Sequence, residues 1–450
     1  MNLKDFKNIF FIGIGGSGMS SLANYFIHEN KNISGYDRSC SLNTNNLISK
    51  GVNIITKQSI ENINKQFLNN KETLIIYTPA IQSNSPLLKY FKENSFVVLK
   101  RAEVLGIIAN NSFCVAIAGT HGKTTTTSIL GHLLKYCNKA VTVFLGGISE
   151  NYNSNLIING KDIVVVEADE FDKSFLTLKP NIACITSIDL DHLDIYKDIE
   201  DIRKSFEQFI SQMDNQGTLI VNENVDFSGD KFGFKSSSKY IISNINLKEG
   251  YYYFDINYNK KTFSNFKFSL MGKHNLSNAL AALIIAIKLD CDLNELKDAL
   301  ESFGGVKRRY TIHINSSSMV YIDDYAHHPD EIKVVYDSLL ELYPNEKYLV
   351  AFQPHLFSRT RDFIDEFASI LSKFHTVLLL DIYPARELPI DGVTSSWLLS
   401  KINAPVKKIV ELEKLDKEIF AQKNKINVTL GAGDIGDKAE EIKKQLEYVI

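Results

Sequence analysis

The sequence predicts an α/β protein of three domains, each built on a mainly parallel, doubly wound sheet. Two observations indicate this class. Apolar segments of strand length alternate with helical patterns along most of the 450 residues, which is typical of parallel sheets covered by helices. The alternation also starts afresh twice along the chain. We therefore predict domains at 1–108, 109–307 and 308–450.

The first domain begins with a glycine-rich turn. Gly13, Gly15 and Gly18 fit the spacing G-x-G-x-x-G between an apolar strand and a helical pattern, and Asp37 ends the second strand about 20 residues on. Taken alone, this pattern predicts a dinucleotide site for a ligand such as NAD. The strand patterns of the domain are "NIFFIGI", "NISGYD", "VNIIT", "TLIIYT" and "FVVLK".

The central domain contains a phosphate loop, "GTHGKTTT", which continues the strand pattern "FCVAIAG" and opens a helix. Gly122, Lys123 and Thr124 match the end of G-x-x-x-x-G-K-[ST]; Ile117 stands where the first glycine is expected, and Gly119 takes over. Backbone N–H groups and Lys123 would face the phosphates of ATP, and the Thr124 hydroxyl can ligate Mg²⁺. The predicted ATP-binding residues of the loop are Gly119, Thr120, His121, Gly122, Lys123, Thr124 and Thr125.

Carboxylates follow the next two strands of this domain. Glu167 and Asp169 follow "DIVVVEA", and the next strand, "NIACITSI", leads into a second polar group: Asp189, Asp191, His192 and Asp194. Carboxylate oxygens suit Mg²⁺, and His192 is a further candidate ligand. Between 218 and 270 the pattern changes to short strands separated by turns, which predicts a small antiparallel addition. The segment "NLSNALAALIIAIKL" then predicts a buried helix.

The third domain has polar clusters where its strands end. Its strand patterns are "MVYID", "YLVAF", "TVLLLDI", "KKIVEL" and "INVTL", and the clusters are "DDYAHHP", "QPHLFSRT", "YPARE" and "GAGD". Because open parallel sheets bind ligands outside the carboxyl ends of their strands, these clusters predict a second substrate site. The His327–His328 pair has no third spaced ligand, so a zinc site is not predicted.

Composition excludes several classes of protein. A formal net charge of −3 offers no basic field for nucleic acid or anionic membranes. The longest apolar run, "ALAALIIAI", has nine residues, well below the roughly 18 of a membrane-spanning helix. The five cysteines are scattered without C-x-x-C pairs, which predicts buried, reduced thiols and a cytoplasmic protein.

Ten motifs in order resemble the Mur ligases of peptidoglycan precursor synthesis. They are "GIGGSGMSSLA", "AGTHGKTTT", "EADEFD", "LDHLDIY", "GKHNLSNALAA", "GVKRRY", "DDYAHHP", "FQPHLFSRTRDF", "DIYPARELP" and "GAGDI". The resemblance implies that the first domain binds UDP-N-acetylmuramate, the central domain ATP and two Mg²⁺ ions, and the third L-alanine and part of the ATP. It implies ATP-dependent ligation of L-alanine to the sugar's carboxylate through an acyl phosphate, in a monomer or weak homodimer. The glycine turn would then hold the diphosphate of a UDP-sugar rather than that of NAD.

The same resemblance implies roles for individual residues. The UDP-sugar would contact Gly13, Gly15, Gly16, Ser17, Gly18, Met19, Ser20 and Asp37. ATP would also contact His274, Asn275, Asn278, Arg309 and Asp324. The catalytic group would be Lys123, Glu167 and His192, with Thr124, Glu167 and His192 as metal ligands. The amino acid would contact Tyr325, His327, Arg359 and Arg386. Two positions depart from the family pattern: Leu356, where a basic residue is frequent, and Gln58, where a histidine is frequent.

Four other functions compete with this interpretation. A recycling ligase that adds a tripeptide to UDP-N-acetylmuramate shares the motifs of the first two domains, and "FQPHLFSRT" with "YPARE" favours single-alanine addition. Folylpolyglutamate synthase shares the ATP domain but not the complete glycine-turn domain. An NAD-dependent oxidoreductase would leave Glu167 and His192 without a role. A non-catalytic nucleotide switch would not need the polar strand ends of the third domain.

Overall fold

The computed structural model describes residues 1–189, 196, 198–385 and 387–448. It contains three sheets, as the sequence predicts. The chain forms two compact units: Met1–Ser269 with Asn275–Gly304, which contains the first two sheets, and Leu270–His274 with Gly305–Ile450, which contains the third. Within the described ranges, no helix has both the length and the apolar character needed to cross a membrane.

The first sheet is parallel, with strand order β3-β2-β1-β4-β5. Its central strand, β1, is buried along its whole length because the sheet is covered on both faces. The chain runs outward from β1 through β2 to β3 and then returns to β4, so the carboxyl end of β1 lies at a topological switch point. The strands are β1 (Asn8–Ile12), β2 (Asn32–Tyr36), β3 (Asn53–Ile55), β4 (Thr73–Tyr77) and β5 (Val97–Lys100). The helices are α1 (Ser17–His28), α2 (Leu42–Ser49), α3 (Pro86–Glu93) and α4 (Arg101–Asn110).

The second sheet has ten strands in the order β15-β14-β13-β12-β11-β10-β6-β9-β7-β8. Because β6 lies between β10 and β9, the loop that follows β6 is flanked by the ends of both neighbours. The strands are β6 (Phe113–Ala118), β7 (Val141–Ser149), β8 (Ser154–Ile158), β9 (Ile163–Ala168), β10 (Ile182–Ile185), β11 (Thr218–Asn222), β12 (Asp230–Gly233), β13 (Tyr240–Lys248), β14 (Tyr251–Tyr258) and β15 (Lys261–Phe268). The helices are α5 (Lys123–Tyr136), α6 (Ile199–Ser211), α7 (Lys273–Lys288) and α8 (Leu293–Glu301).

The predicted antiparallel addition at 218–270 was partly wrong. The segment "GTLIVN" forms β11, which pairs in parallel with β10, and β12 pairs in parallel with both of its neighbours. Helix α6 precedes β11 and provides the crossover that a parallel connection needs. Within 218–270, the antiparallel pairings are those of β14 with β13 and with β15, and these strands extend the main sheet at its edge.

The third sheet has the order β16-β17-β21-β18-β19-β20, and all its pairings are parallel except that of the edge strand β16. The ends of β17, β21, β18 and β19 are therefore neighbours along one edge. The strands are β16 (Thr311–Asn315), β17 (Val320–Asp324), β18 (Tyr348–Phe352), β19 (Thr376–Leu379), β20 (Val406–Ile409) and β21 (Ile426–Leu430). The helices are α9 (Pro329–Leu342), α10 (Phe357–Asp362), α11 (Ile364–Leu371), α12 (Ser395–Lys401), α13 (Leu415–Ala421) and α14 (Ala439–Glu447).

The cysteines match the expectation of free thiols. All five are free; Cys40 is exposed, and the other four are buried: Cys114, Cys137, Cys184 and Cys291.

Candidate active site

The phosphate loop connects β6 to α5 through two glycines in the left-handed region, with φ of 136° at Gly119 and 82° at Gly122. Side-chain-bearing residues avoid this region, so the turn requires glycine. A Cβ added to Gly122 would also lie 2.6 Å from Oδ1 of Asn278. The loop therefore packs tightly against α7 and presents its backbone at the start of α5, where anions are favoured.

The amine of Lys123 lies among carboxylate and carbonyl oxygens. It donates to both carboxylate oxygens of Glu170, at 2.9 and 2.7 Å, and to the Gly119 carbonyl at 2.6 Å. The Glu170 side chain is only 1% exposed, so this ion pair is shielded from water. Although burial by itself lowers the pKa of Lys123, the neighbouring carboxylates, above all Glu170, raise it beyond its usual value. The lysine therefore keeps its positive charge at the phosphate loop.

Glu167 faces the helix start from the end of β9. Its carboxylate accepts a hydrogen bond from the Thr124 hydroxyl at 2.9 Å and another from the Gly146 backbone N–H. Burial raises the pKa of Glu167, and the two hydrogen bonds oppose that shift. Thr124 and Glu167 thus present neighbouring oxygen donors at the end of the phosphate loop, a donor set that fits Mg²⁺, which usually takes only one or two protein carboxylates and completes its shell with water and phosphate oxygens.

The far side of the loop is supported by the segment after β10. The Thr120 hydroxyl lies 2.9 Å from that of Ser187 and donates to Asp189 at 3.2 Å, while the His121 N–H donates to the Ser187 hydroxyl. The other predicted residues of this segment lie outside the described residues: Asp191, His192 and Asp194. In the part of the chain that the structure describes, no three His, Cys, Asp or Glu side chains form a metal-binding group.

Helix α7 contains three of the residues predicted to contact ATP. Asn278 and Asn275 are buried, and Asn278 accepts a hydrogen bond from the Thr126 hydroxyl of α5 at 3.2 Å. Asn278 therefore packs against Gly122 of the phosphate loop and links α7 to the first turn of α5. His274 lies in the first turn of α7 and is exposed.

The glycine turn of the first domain occupies the switch point after β1. The N–H of Gly15 donates to the Asp37 carboxylate at 2.7 Å, and Asn43 donates to the Gly15 carbonyl at 3.0 Å. Gly16 caps the N-terminus of α1 and is exposed. The remaining predicted residues lie in the turn or in the first turn of the helix: Gly13, Ser17, Gly18, Met19 and Ser20. The turn therefore offers backbone N–H groups at a helix start, without a lysine of its own.

Arg101 lies between the glycine turn and the acidic segment after β9. Its guanidinium is 3.7 Å from the Asp169 carboxylate, and a Cβ on Gly18 would lie 2.8 Å from its Nη1. The sequence motifs did not predict a role for Arg101, Glu170 or Gly146 individually. A usable signal for Glu170 was the density of carboxylates in "EADEFD".

In the second unit, two neighbouring arginines have different roles. Arg308 directs its guanidinium to the backbone carbonyls of Gly431 and Gly433 and lies 3.4 Å from buried Asp323. Arg309 is 3.7 Å from Glu331 and one-third exposed, and both guanidinium groups lie over the Tyr325 ring, 5.1 and 5.2 Å from its centroid. Arg308 therefore stabilises the strand ends, and Arg309 is the better placed of the two for a ligand.

Asp324 organises the chain around the end of β17. Its carboxylate accepts from the backbone N–H of Tyr310 at 2.6 Å and of Ala326 at 2.7 Å. Burial raises the pKa of Asp324 to about 6, against the opposing effect of Arg309. A contact of Asp324 with ATP would add to this structural role.

The residues predicted for the amino acid lie at the strand ends of the third sheet. The Tyr325 and His327 rings are 5.3 Å apart, and His327 is 5.6 Å from the His355 ring, which stacks on Tyr383. Hydrogen bonds link the clusters that follow β18, β19 and β21: Tyr383 to the Pro354 carbonyl, and Gln353 to Asp434. The predicted strand-end clusters are thus in contact with one another. Arg359 lies in α10, and Arg386 lies outside the described residues.

Leu356, where the family pattern favours a basic residue, precedes α10 in an unusual conformation. Its φ is 72° and its ψ 135°, a region that residues with side chains rarely adopt, and its side chain is buried. It therefore packs into the unit instead of contributing charge at the strand ends.

Three family models match successive parts of the chain. Residues 8–113 match the Mur ligase family catalytic domain, 117–286 the Mur ligase middle domain, and 308–436 the Mur ligase glutamate ligase domain. The UDP-N-acetylmuramate--L-alanine ligase of Flavobacterium psychrophilum is 50% identical over 99% of this chain and 100% of its own length.

Solved structures of Mur ligases have the same fold as this chain. The crystal structure of UDP-N-acetylmuramate-alanine ligase from Thermotoga maritima has a TM-score of 0.84 and 28% identity, covering 98% of this chain and 100% of that one. A murein peptide ligase from Psychrobacter arcticus has a TM-score of 0.74 at 20% identity, covering 99% of each chain, which shows a shared fold only. The prediction from the motifs is confirmed, and the chain belongs to the Mur ligase family.

Proposed function

We propose that this chain ligates L-alanine to the carboxylate of UDP-N-acetylmuramate, with ATP converted to ADP and phosphate. The observation that supports this most is the arrangement of Lys123, Thr124 and Glu167 at the phosphate loop. This arrangement supports the proposal because it would supply a retained positive charge and two oxygen donors for Mg²⁺ beside the transferred phosphoryl group. The full-length similarity to a curated ligase of that name favours this substrate set.

The chemistry follows from the substrates. A carboxylate is a poor acyl donor, so the γ-phosphoryl group of ATP is first transferred to the sugar's carboxylate, giving an acyl phosphate and ADP. The amine of L-alanine then attacks the acyl carbon, and the tetrahedral intermediate expels phosphate and loses a proton. Two anions must approach each other in the first step, so cationic groups are required to offset their repulsion.

Each part of the chain has a role in this scheme. Lys123 neutralises charge on the transferred phosphoryl group, and Glu170 keeps the lysine charged and oriented. Thr124 and Glu167, with His192 as a further candidate, would hold Mg²⁺, which supplies additional positive charge at the phosphates. The glycine turn binds the diphosphate of the UDP-sugar through backbone N–H groups, and Asp37 holds the turn in shape. Tyr325, His327, Arg359 and Arg386 would contact the alanine, whose carboxylate suits a guanidinium partner.

The same proposal includes a cytoplasmic location, because ATP and UDP-sugars are intracellular metabolites. It also includes a monomer or weak homodimer. The domain boundaries at 108 and 307 are part of it.

The test is phosphate release from ATP by the purified protein, with UDP-N-acetylmuramate and one amino acid at a time. We expect release only when all three substrates are present, fastest with L-alanine. Release that requires a tripeptide in place of alanine would identify the recycling ligase instead. NADH binding without phosphate release would overturn the proposal.

A further inference from the structure

The start of α1 is fastened to the central sheet. The amide of Asn155, a buried residue of β8, donates to the Ser17 carbonyl at 3.0 Å and to the Ser20 hydroxyl at 2.9 Å. The Ser21 hydroxyl donates to the Asn155 carbonyl at 2.9 Å. The helix end that carries the glycine turn therefore has a fixed place against the domain that carries the phosphate loop.

One further bond leads from this helix end toward the phosphate loop. The Ser17 hydroxyl donates to the Gly146 carbonyl at 2.5 Å, and the N–H of the same glycine donates to the Glu167 carboxylate. The other oxygen of Glu167 accepts from Thr124. Four residues thus form a continuous chain of hydrogen bonds, which we name the Ser17 relay: Ser17, Gly146, Glu167 and Thr124.

The course of β7 makes this chain possible. Strand β7 pairs with β9 only as far as Phe144 opposite Val166, and its pairing with β8 is irregular between Phe144 and Ser149. The peptide groups of Gly146 are therefore outside the regular ladder and are available to Ser17 and Glu167. A Cβ on Gly146 would lie 2.6 Å from Glu167 Oε2, so only glycine permits this approach.

We propose that Ser17 is a positioning residue through which occupancy of the glycine turn orients Glu167 at the phosphate loop. This inference rests on the proposed function, in which the turn holds the UDP-sugar diphosphate and Glu167 faces the nucleotide's metal. An anion on the N–H groups at the start of α1 would restrict the remaining motion of the first helical turn, and with it the motion of the Ser17 hydroxyl. That hydroxyl holds the carbonyl of Gly146, and the N–H on the other side of the same Cα donates to one oxygen of Glu167. Each ligand should therefore favour binding of the other.

The experiment measures this mutual effect by calorimetry. The dissociation constant of Mg²⁺ with a non-hydrolysable ATP analogue is measured with and without saturating UDP-N-acetylmuramate, for the full-length parent, Ser17→Ala and Ser21→Ala. The Ser21→Ala variant is the matched control, because it removes a hydrogen bond from the same interface that does not lead to Glu167. We expect about fivefold coupling in the parent and in Ser21→Ala, and coupling near unity in Ser17→Ala. Unfolding temperatures of the three proteins check that each is folded.

The alternatives give distinct results. Equal coupling in Ser17→Ala and the parent would overturn the relay, and so would an equal loss in both variants, which would indicate the interface as a whole. A parent that binds both ligands independently would overturn the relay and leave the proposed function intact. A parent that binds the nucleotide but not UDP-N-acetylmuramate would overturn both.

Discussion

The glycine turn at 13–18 and the phosphate loop at 119–124 have the same place in their sheets but carry different side chains at the helix start. Each follows a buried parallel strand and opens a helix. In the phosphate loop a lysine and a threonine begin the helix, and buried Glu170 and half-buried Glu167 accept hydrogen bonds from them. In the glycine turn the helix begins with serine, and the nearby carboxylate, Asp37, accepts a backbone N–H. Under the proposed function, the same backbone arrangement would bind an anion in both places, and the phosphate loop adds a lysine at its own helix start that can assist phosphoryl transfer.

The largest expected effect comes from removing the charge that distinguishes the phosphate loop. Lys123→Ala should reduce turnover on the order of 10³-fold, as for a lost electrostatic contact with the transition state. The measurement is steady-state phosphate release, with circular dichroism to confirm folding. Near-normal turnover would show that the two turns do not differ in this way.

A negative charge added to the glycine turn tests whether this turn binds a diphosphate. Gly16 is exposed, has an ordinary φ of −60°, and has no atom closer than 3.8 Å to an added Cβ. Gly16→Asp should leave the fold intact, since aspartate is a favoured N-cap residue. It should weaken UDP-N-acetylmuramate binding on the order of 100-fold by repulsion of the diphosphate.

The control for that variant is Gly16→Asn, which has nearly the same shape without the charge. Calorimetry should show a much smaller loss for the asparagine variant, and nucleotide binding should be unchanged in both. If aspartate and asparagine weaken binding equally, the turn does not face an anion.

Glu167→Gln at the phosphate loop should change the Mg²⁺ requirement, by a smaller factor than the Lys123 and Gly16 variants change turnover and binding. Glutamine keeps the shape and one acceptor oxygen, but it lacks the charge that would attract Mg²⁺. The Mg²⁺ concentration for half-maximal activity should rise on the order of tenfold. Overlapping Mg²⁺ titrations of variant and parent would show that Glu167 is not a ligand.

The sequence predicted the strands well because buried parallel strands leave near-continuous apolar runs, as in "NIFFIGI" and "YLVAF". It failed at β11, since a short strand with polar neighbours has the same pattern in either orientation. Here only the preceding helix α6 distinguishes a parallel from an antiparallel β11.

The site was predictable where a motif fixes the backbone and unpredictable where the role depends on tertiary contacts. Lys123 and Thr124 belong to a recognised loop, whereas Gly146 acquires its role only because β7 leaves β9 after Phe144. Arg308 and Arg309 are adjacent and identical in type, and only the structure distinguishes Arg308, which is bound to backbone carbonyls, from Arg309, which is one-third exposed.

The smallest expected effect concerns stability and compares the glycines of the turn itself. A Cβ on Gly15 would lie 2.8 Å from Asp37 Oδ2 and 2.9 Å from Thr44 Cγ2, so Gly15→Ala must displace the carboxylate that accepts the Gly15 N–H. Overpacking of this kind typically costs about 1–3 kcal/mol, and both neighbours are side chains that can shift, so we expect about 1 kcal/mol. In Gly16→Ala the added Cβ makes only ordinary contacts. Alanine is a poorer N-cap than glycine but lowers the entropy of the unfolded chain, and because these effects oppose each other the unfolding free energy should change by only a few tenths of a kcal/mol. Thermal unfolding of both variants measures the difference. If they unfold together with the parent, Asp37 does not hold the turn in shape, and the comparison between a turn held through its backbone and a loop held through its side chains fails at that point.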